Sequence, residues 1–211
     1  MLSAKIQDRV GLKSKGPRVA VLDFGAKENI LRELQKRCSA VRIFPARTEA
    51  SVIRDWQPDS LMLTNGPGDP SLVKQAVQTV QSFLGNKPIF GICMGHQILS
   101  LALGAQTYKL KFGHRGANHP IQDDILKQIY MSSQNHGYAV RAETLPSDVV
   151  VTHRNLNDQT VAGFYSKKRN CLGIQYHPES HPGPHEAVRL FDFFISEMHH
   201  LKMEGLNNYE L

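Results

Sequence analysis

Between Arg18 and Ile92 the chain alternates two hydrophobic spacings. Short, mostly apolar runs at Val19-Ala20-Val21-Leu22, Val41 to Phe44, Ser60-Leu61-Met62-Leu63 and Pro88-Ile89-Phe90-Gly91-Ile92 suit strands buried on both faces. Between them, Ile30, Leu31, Leu34 and Cys38 fall at helical spacing, a polar helix is predicted around Trp56, and Val73, Ala76, Val77, Val80, Phe83 and Leu84 form one stripe after Pro70-Ser71. Strand and helix in turn predict an α/β fold: an open, mostly parallel twisted sheet with helices on both faces.

After Gln106 the pattern changes, and strands follow strands. Ile129-Tyr130-Met131, Tyr138-Ala139-Val140, Val149-Val150-Val151-Thr152 and Leu172-Gly173-Ile174 read as β runs, which adds a small set of antiparallel strands. A last helix is expected from about His185 to Leu201, with Val188, Phe191, Ile195 and Met198 on its inner face. Residues 1–17 are rich in Lys, Ser and Gly and end on the breaker pair Gly16-Pro17, so they are expected to be a linker or tail, leaving one domain over 18–205.

Composition narrows the class of molecule. With 41% hydrophobic and 21% charged residues over 211 positions, the chain is neither disordered nor fibrous. No apolar stretch nears the roughly 18 to 20 residues of a membrane span, and residues 1–18 lack the apolar core of a signal peptide, which leads us to expect a cytoplasmic protein with no membrane partner. The cysteines, Cys38, Cys93 and Cys171, are odd in number and contain no Cys-x-x-Cys pair, so neither a disulfide framework nor a zinc knuckle is indicated. A net charge of +6 raises the question of nucleic acid. The basic residues are dispersed, however, without the interleaved aromatics that stack bases, and no nucleic-acid partner is expected.

Three segments carry chemistry. Gly91-Ile92-Cys93-Met94-Gly95-His96-Gln97 places a nucleophile between small residues, after a buried strand and before a helix, the pattern of a nucleophile elbow. The partial positive charge of a helix start favours a thiolate, and the Met94 backbone N–H is placed to meet a developing oxyanion. A buried structural cysteine is the alternative. In Thr64-Asn65-Gly66-Pro67-Gly68-Asp69-Pro70, a loop at the carboxyl end of a strand, the amides of Gly66 and Gly68 are candidates for the rest of that oxyanion hole; a turn without chemistry is the competing reading. Gln175-Tyr176-His177-Pro178-Glu179 ends the last apolar strand with an imidazole and a carboxylate two apart, so that Glu179 can orient His177 as general base. Together these residues indicate acyl transfer through a thiolate. His177, His181 and His185 would face one way as metal ligands on a helix, but Pro178, Pro182 and Pro184 forbid that helix; ligation from an irregular loop is the alternative, and no metal is expected.

Gly91 to Gln97 with His177-Pro178-Glu179 resembles the triad, class I glutamine amidotransferases across nearly the whole ordered chain. Within that family, Val21 to Lys27, Asn65 to Pro70, Lys111 to Pro120, Gln134 to Tyr138 and Pro182 to His185 resemble the small chain of carbamoyl phosphate synthetase. The resemblance implies a flavodoxin-like glutaminase fold and L-glutamine as substrate. It implies catalysis by Cys93, His177 and Glu179, an oxyanion held by the amides of Met94, Gly66 and Gly68, and glutamine gripped by Gln97, Asn135, Gly137 and Tyr138. It further implies no cofactor on this chain, ATP being used by a partner, the large carbamoyl phosphate synthetase subunit, in arginine and pyrimidine synthesis. The chain also departs from the family pattern. The small chain normally begins with an additional amino-terminal domain, whereas this sequence begins in what resembles the linker; Met94 stands for the commoner leucine and Tyr138 for the commoner phenylalanine. The glutaminase of another synthetase, or an interaction module of weak activity, are the alternatives.

Overall fold

The computed structural model describes residues 5–180 and 182–200, with side chains to residue 196 in the last helix. His181, the Met198 side chain and residues 201–205 of the expected domain lie outside the described residues. The first half is the expected strand–helix repeat. Strand β1 (Gln7–Val10) precedes β2 (Arg18–Asp23), α1 (Glu28–Gln35), β3 (Ala40–Pro45), α2 (Ala50–Asp55), β4 (Ser60–Leu63), α3 (Lys74–Gln81), β5 (Ile89–Ile92) and α4 (Met94–Ala102). There follow β6 (Thr107–Asp123), β7 (Gln128–Val140), β8 (Val150–Asn155), β9 (Val161–Ser166), β10 (Cys171–Ile174) and α5 (Arg189–His200).

All ten strands join one sheet in the order β1-β3-β2-β4-β5-β10-β9-β8-β6-β7. From β3 to β10 every pairing is parallel, and from β10 to β7 every pairing is antiparallel. The antiparallel strands expected as a small addition therefore make up the other half of the same sheet. Because successive side chains of a strand point to opposite faces, β2 feeds two cores. Val19 and Val21 pack with Ile30 and Leu34 of α1 and with Leu190, Phe191 and Phe194 of α5. Ala20 and Leu22 pack with Ile53, Ala76, Val80, Ile98 and Leu99 of α2, α3 and α4 on the other face.

Several elements differ from the sequence expectation. Gln7–Val10, inside the stretch expected as linker, pairs antiparallel with β3 as an edge strand. The polar helix ends before Trp56, whose ring lies under the guanidinium of Arg18 at 4.6 Å. Pro70–Leu72 forms a separate 3-10 turn, and α3 starts only at Lys74, so Phe83 and Leu84 lie beyond its end. Over the span expected as the last helix, a 3-10 turn at Glu186–Val188 precedes α5, and Ala187, Leu190, Phe191 and Phe194 are the buried positions, while Val188 and Ile195 are half-buried. Ile129 to Met131 and Tyr138 to Val140, which read as separate runs, lie on the single strand β7. Two strands lack an expectation altogether, the wholly buried β9 and the long, largely exposed β6.

Candidate active site

The carboxyl ends of β4, β5 and β10 come together at one edge of the parallel half, and a cavity of ≈ 380 Å³ opens there. Cys93 stands between β5 and α4 with φ 54° and ψ −101°, a left-handed conformation that non-glycine residues adopt only where the surroundings enforce it. Its flanking glycines are required by contact rather than by dihedral. A Cβ on Gly91 would lie 2.5 Å from the Gly95 carbonyl oxygen, and one on Gly95 would lie 2.2 Å from the Leu63 oxygen. The elbow is thus pressed against β4, and the thiol is directed into the cavity, 3.9 Å from the Asn135 carbonyl oxygen.

Backbone bonds hold the elbow. The Cys93 N–H donates to Ile174 O at 2.8 Å and the Gly95 N–H to Thr64 O at 3.0 Å. Met94, between them, is the first residue of α4, so its amide has no partner within the helix. Met94, Gly66 and Gly68 all line the cavity, which places the loop after β4 opposite the helix start.

His177 reaches the same cavity from the neighbouring parallel strand. Register pairs Ile92 with Ile174, so the residues just beyond β5 and β10 emerge side by side although they lie far apart in sequence. The His177 N–H donates to Ser133 O at 2.9 Å, and its Nδ1 lies 2.7 Å from Glu179 Oε1. Burial opposes charge on this ring, but hydrogen bonds to the Cys93 sulfur and the Glu179 carboxylate outweigh it and raise His177 to about 9. Glu179 is fully buried behind the imidazole, outside the cavity wall. Lys27 Nζ approaches the same Oε1 at 3.2 Å, and Asn29 Nδ2 donates to the Glu179 carbonyl. At neutral pH the ring therefore carries a proton, and its Nδ1 side is occupied by Glu179.

Strand β7 supplies the remaining wall. Asn135, Gly137 and Tyr138 line the cavity with Gln97 of α4, whose Nε2 donates to Tyr138 O at 2.8 Å and to Gln175 Oε1 at 3.0 Å. All ten residues singled out from the sequence thus meet around one space, nine on its wall and Glu179 behind it.

Five further wall residues were not singled out: Lys27, Asn65, Pro67, Arg115 and His136. Asn65 ties the loop to the turn after β2, accepting from the Lys27 N–H and donating to Gly25 O, both at 2.9 Å. His136 Nδ1 lies 2.8 Å from Tyr138 O and its Nε2 2.8 Å from Gln134 Oε1, and burial pushes the ring down to about 3. Lys27 had a signal, its place just past an apolar strand end, but only the fold brings it to Glu179. Arg115 lies in the segment Lys111 to Pro120 that carries the resemblance, but its strand was not anticipated, so its place on the wall was not. Among the described residues no group of three or more His, Cys, Asp or Glu side chains is arranged to hold a metal, and no helix is long and apolar enough to cross a membrane.

Residues 20–197 match the glutamine amidotransferase class-I family. The chain is 53% identical over 183 residues to the carbamoyl phosphate synthase small chain of Symbiobacterium thermophilum, covering 86% of this chain and 50% of that protein. It is 49% identical over 187 residues to the small chain of Lactococcus lactis subsp. lactis, covering 89% and 52%. The chain spans about half the length of the curated relatives it matches. Among solved structures, a Thermoplasma acidophilum protein described as part of a GMP synthase superposes with a TM-score of 0.74 at 23% identity, covering 89% of this chain and 96% of that one, a likeness of fold.

Proposed function

The chain belongs to the class-I glutamine amidotransferases, and from that premise we propose that it is the glutamine-hydrolysing part of a carbamoyl phosphate synthase small chain, acting in the cytoplasm. Cys93 attacks the side-chain carboxamide of L-glutamine. The tetrahedral oxyanion is met by the Met94 N–H and by amides of the Gly66–Gly68 loop, donors fixed before the charge develops. The C–N bond then breaks as the proton on His177 passes to the leaving nitrogen, giving ammonia and a γ-glutamyl thioester at Cys93. The imidazole, now neutral, takes a proton from water; the hydroxide adds to the thioester carbonyl, the C–S bond breaks, and glutamate leaves. Glu179 holds the ring by Nδ1 throughout and offsets its charge, while Gln97, Asn135, Gly137 and Tyr138 grip the α-amino and α-carboxylate groups. Ammonia passes to a large synthetase subunit, which carries out the ATP-dependent steps toward carbamoyl phosphate.

One observation carries the reading: a strained cysteine at a helix start shares a cavity with a protonated, carboxylate-backed imidazole. Glutamate release by wild type and Cys93→Ser, each with the large subunit present, tests it. The variant is expected to lose roughly 10³-fold or more of the rate, and equal rates would end the claim that Cys93 is the nucleophile. Pairing the chain with different synthetase subunits identifies the ammonia acceptor by which product becomes glutamine-dependent.

A further inference from the structure

In the loop that carries Gly66 and Gly68, Gly66 is pressed against Phe24, whose carbonyl oxygen would lie 2.3 Å from an added Cβ, but the loop opens beyond it. Pro67 and Gly68 are exposed, Gly68 has a φ of 100°, and no atom lies within 4 Å of where its Cβ would be. The segment is fixed at its ends. At one end Asn65 is bonded in both directions to the turn after β2. At the other, Asp69 accepts from the Ser71 N–H at 2.9 Å and the Ser71 hydroxyl at 2.7 Å through Oδ1, while its Oδ2 accepts from the Tyr138 hydroxyl at 3.1 Å. That last bond crosses from the loop to β7. Tyr138 is itself tied to the nucleophile helix, because its carbonyl accepts from Gln97 Nε2. The side chain and main chain of one residue therefore link the loop after β4, strand β7 and helix α4.

We propose that the Tyr138 hydroxyl and the Asp69 carboxylate form a clasp that holds the Gly66–Gly68 loop at its working distance from Cys93, making Tyr138 a positioning residue for the oxyanion site. The inference rests on the glutaminase reading above and adds to it a role for the one hydroxyl that distinguishes tyrosine from phenylalanine at this place. A phenylalanine keeps the ring on the cavity wall and the backbone contact to Gln97, and removes only the clasp. An asparagine at 69 keeps an oxygen for Ser71 and presents an amide N–H to the Tyr138 oxygen, so it preserves a link across the gap.

The test uses wild type, Tyr138→Phe, Asp69→Asn and the double variant, each with the large subunit. Two readouts are taken: steady-state glutamine hydrolysis, and hydrogen exchange of the segment 64–72 followed by mass spectrometry. Tyr138→Phe is expected to lower kcat roughly 3- to 10-fold, well short of the roughly 10²- to 10³-fold cost of deleting an oxyanion donor. KM should stay within about twofold, because ground-state contacts survive. The 64–72 segment should exchange faster while β4 and β5 do not. Asp69→Asn should behave as wild type in both readouts and the double variant as Tyr138→Phe. Unchanged exchange in Tyr138→Phe, an unchanged kcat, or a loss confined to KM would each overturn the clasp. Wild type that releases no glutamate would sink the glutaminase reading, while the exchange result would still decide whether the clasp exists.

Discussion

The two halves of the sheet support the site in different ways. The parallel half, β3 to β10, is helix-covered and apolar on both faces, and it presents Cys93, His177, Glu179 and the Gly66–Gly68 loop at adjacent strand ends. Strands β6 and β7 of the antiparallel half are partly exposed and present Asn135, Gly137 and Tyr138 as a wall. Groups proposed to make or break bonds are carried by rigid, doubly buried strands, whose closely packed interiors resist displacement. Of the groups proposed to grip substrate, Asn135, Gly137 and Tyr138 are carried by a hairpin with fewer constraints, while Gln97 stands on α4. The contrast teaches that position in the sheet sets how much a side chain can tolerate.

A pair of glycines gives the sharpest test of that contrast. Gly95 has the Leu63 oxygen 2.2 Å from its absent Cβ, whereas nothing lies within 4 Å of the same point on Gly137. Gly95→Ala is expected to destabilise the protein by roughly 3 kcal/mol, at the upper end for overpacking, and to displace the elbow. Gly137→Ala is expected to cost under about 0.5 kcal/mol while raising KM for glutamine, since its methyl group would enter the cavity. Denaturant melts and steady-state kinetics check both, and equal destabilisation would break the comparison.

Acid titration probes a property that spans both halves. His96 in α4 and His136 in β7 are each pushed down to about 3, chiefly by burial, against an ordinary value of 6.5. The unfolded chain therefore binds more protons below pH 6.5, and stability should fall as pH drops from there toward 3. His177 has the opposite sign. Raised to about 9, it contributes stability that is complete below 6.5 and is lost as pH rises through 9. Urea melts across pH 4 to 10 should show a maximum near pH 6.5 with a loss on each side, and His96→Gln should make the acid limb shallower. A flat profile below pH 6.5 would contradict the burial account.

The same division governs what the sequence discloses. In the parallel half, strands buried on both faces leave short apolar runs, and all four from β2 to β5 are legible. The chemistry there is legible too, because an elbow needs small residues on both sides of its nucleophile and His177-x-Glu179 closely follows the apolar run that ends at Ile174. Strand β6 is not legible. Its register shifts between Lys109 and His114 and again between Gly116 and His119, so no alternation survives over Thr107–Asp123, and with two partly exposed faces it has no apolar run to reveal it. That Arg115 reaches the cavity wall is hidden for the same reason. Lys27 and Asn29 meet Glu179 only through tertiary structure. In α5 Leu190, Phe191 and Phe194 keep ordinary helical spacing, so Phe191 was legible and Leu190 and Phe194 were equally compatible with the pattern.

The central claim is that Cys93 is a nucleophile for a glutamine side chain in a cavity that admits it. Intact-mass and peptide analysis, after incubation with a glutamine analogue carrying an electrophilic carbon at the carboxamide position, tests this most directly. The account predicts a single adduct on Cys93, lost on adding excess glutamine, with Cys38 and Cys171 untouched, because burial pushes both thiols up to about 12. An unmodified Cys93, whether or not the large subunit is present, or an adduct that excess glutamine does not prevent, would contradict it.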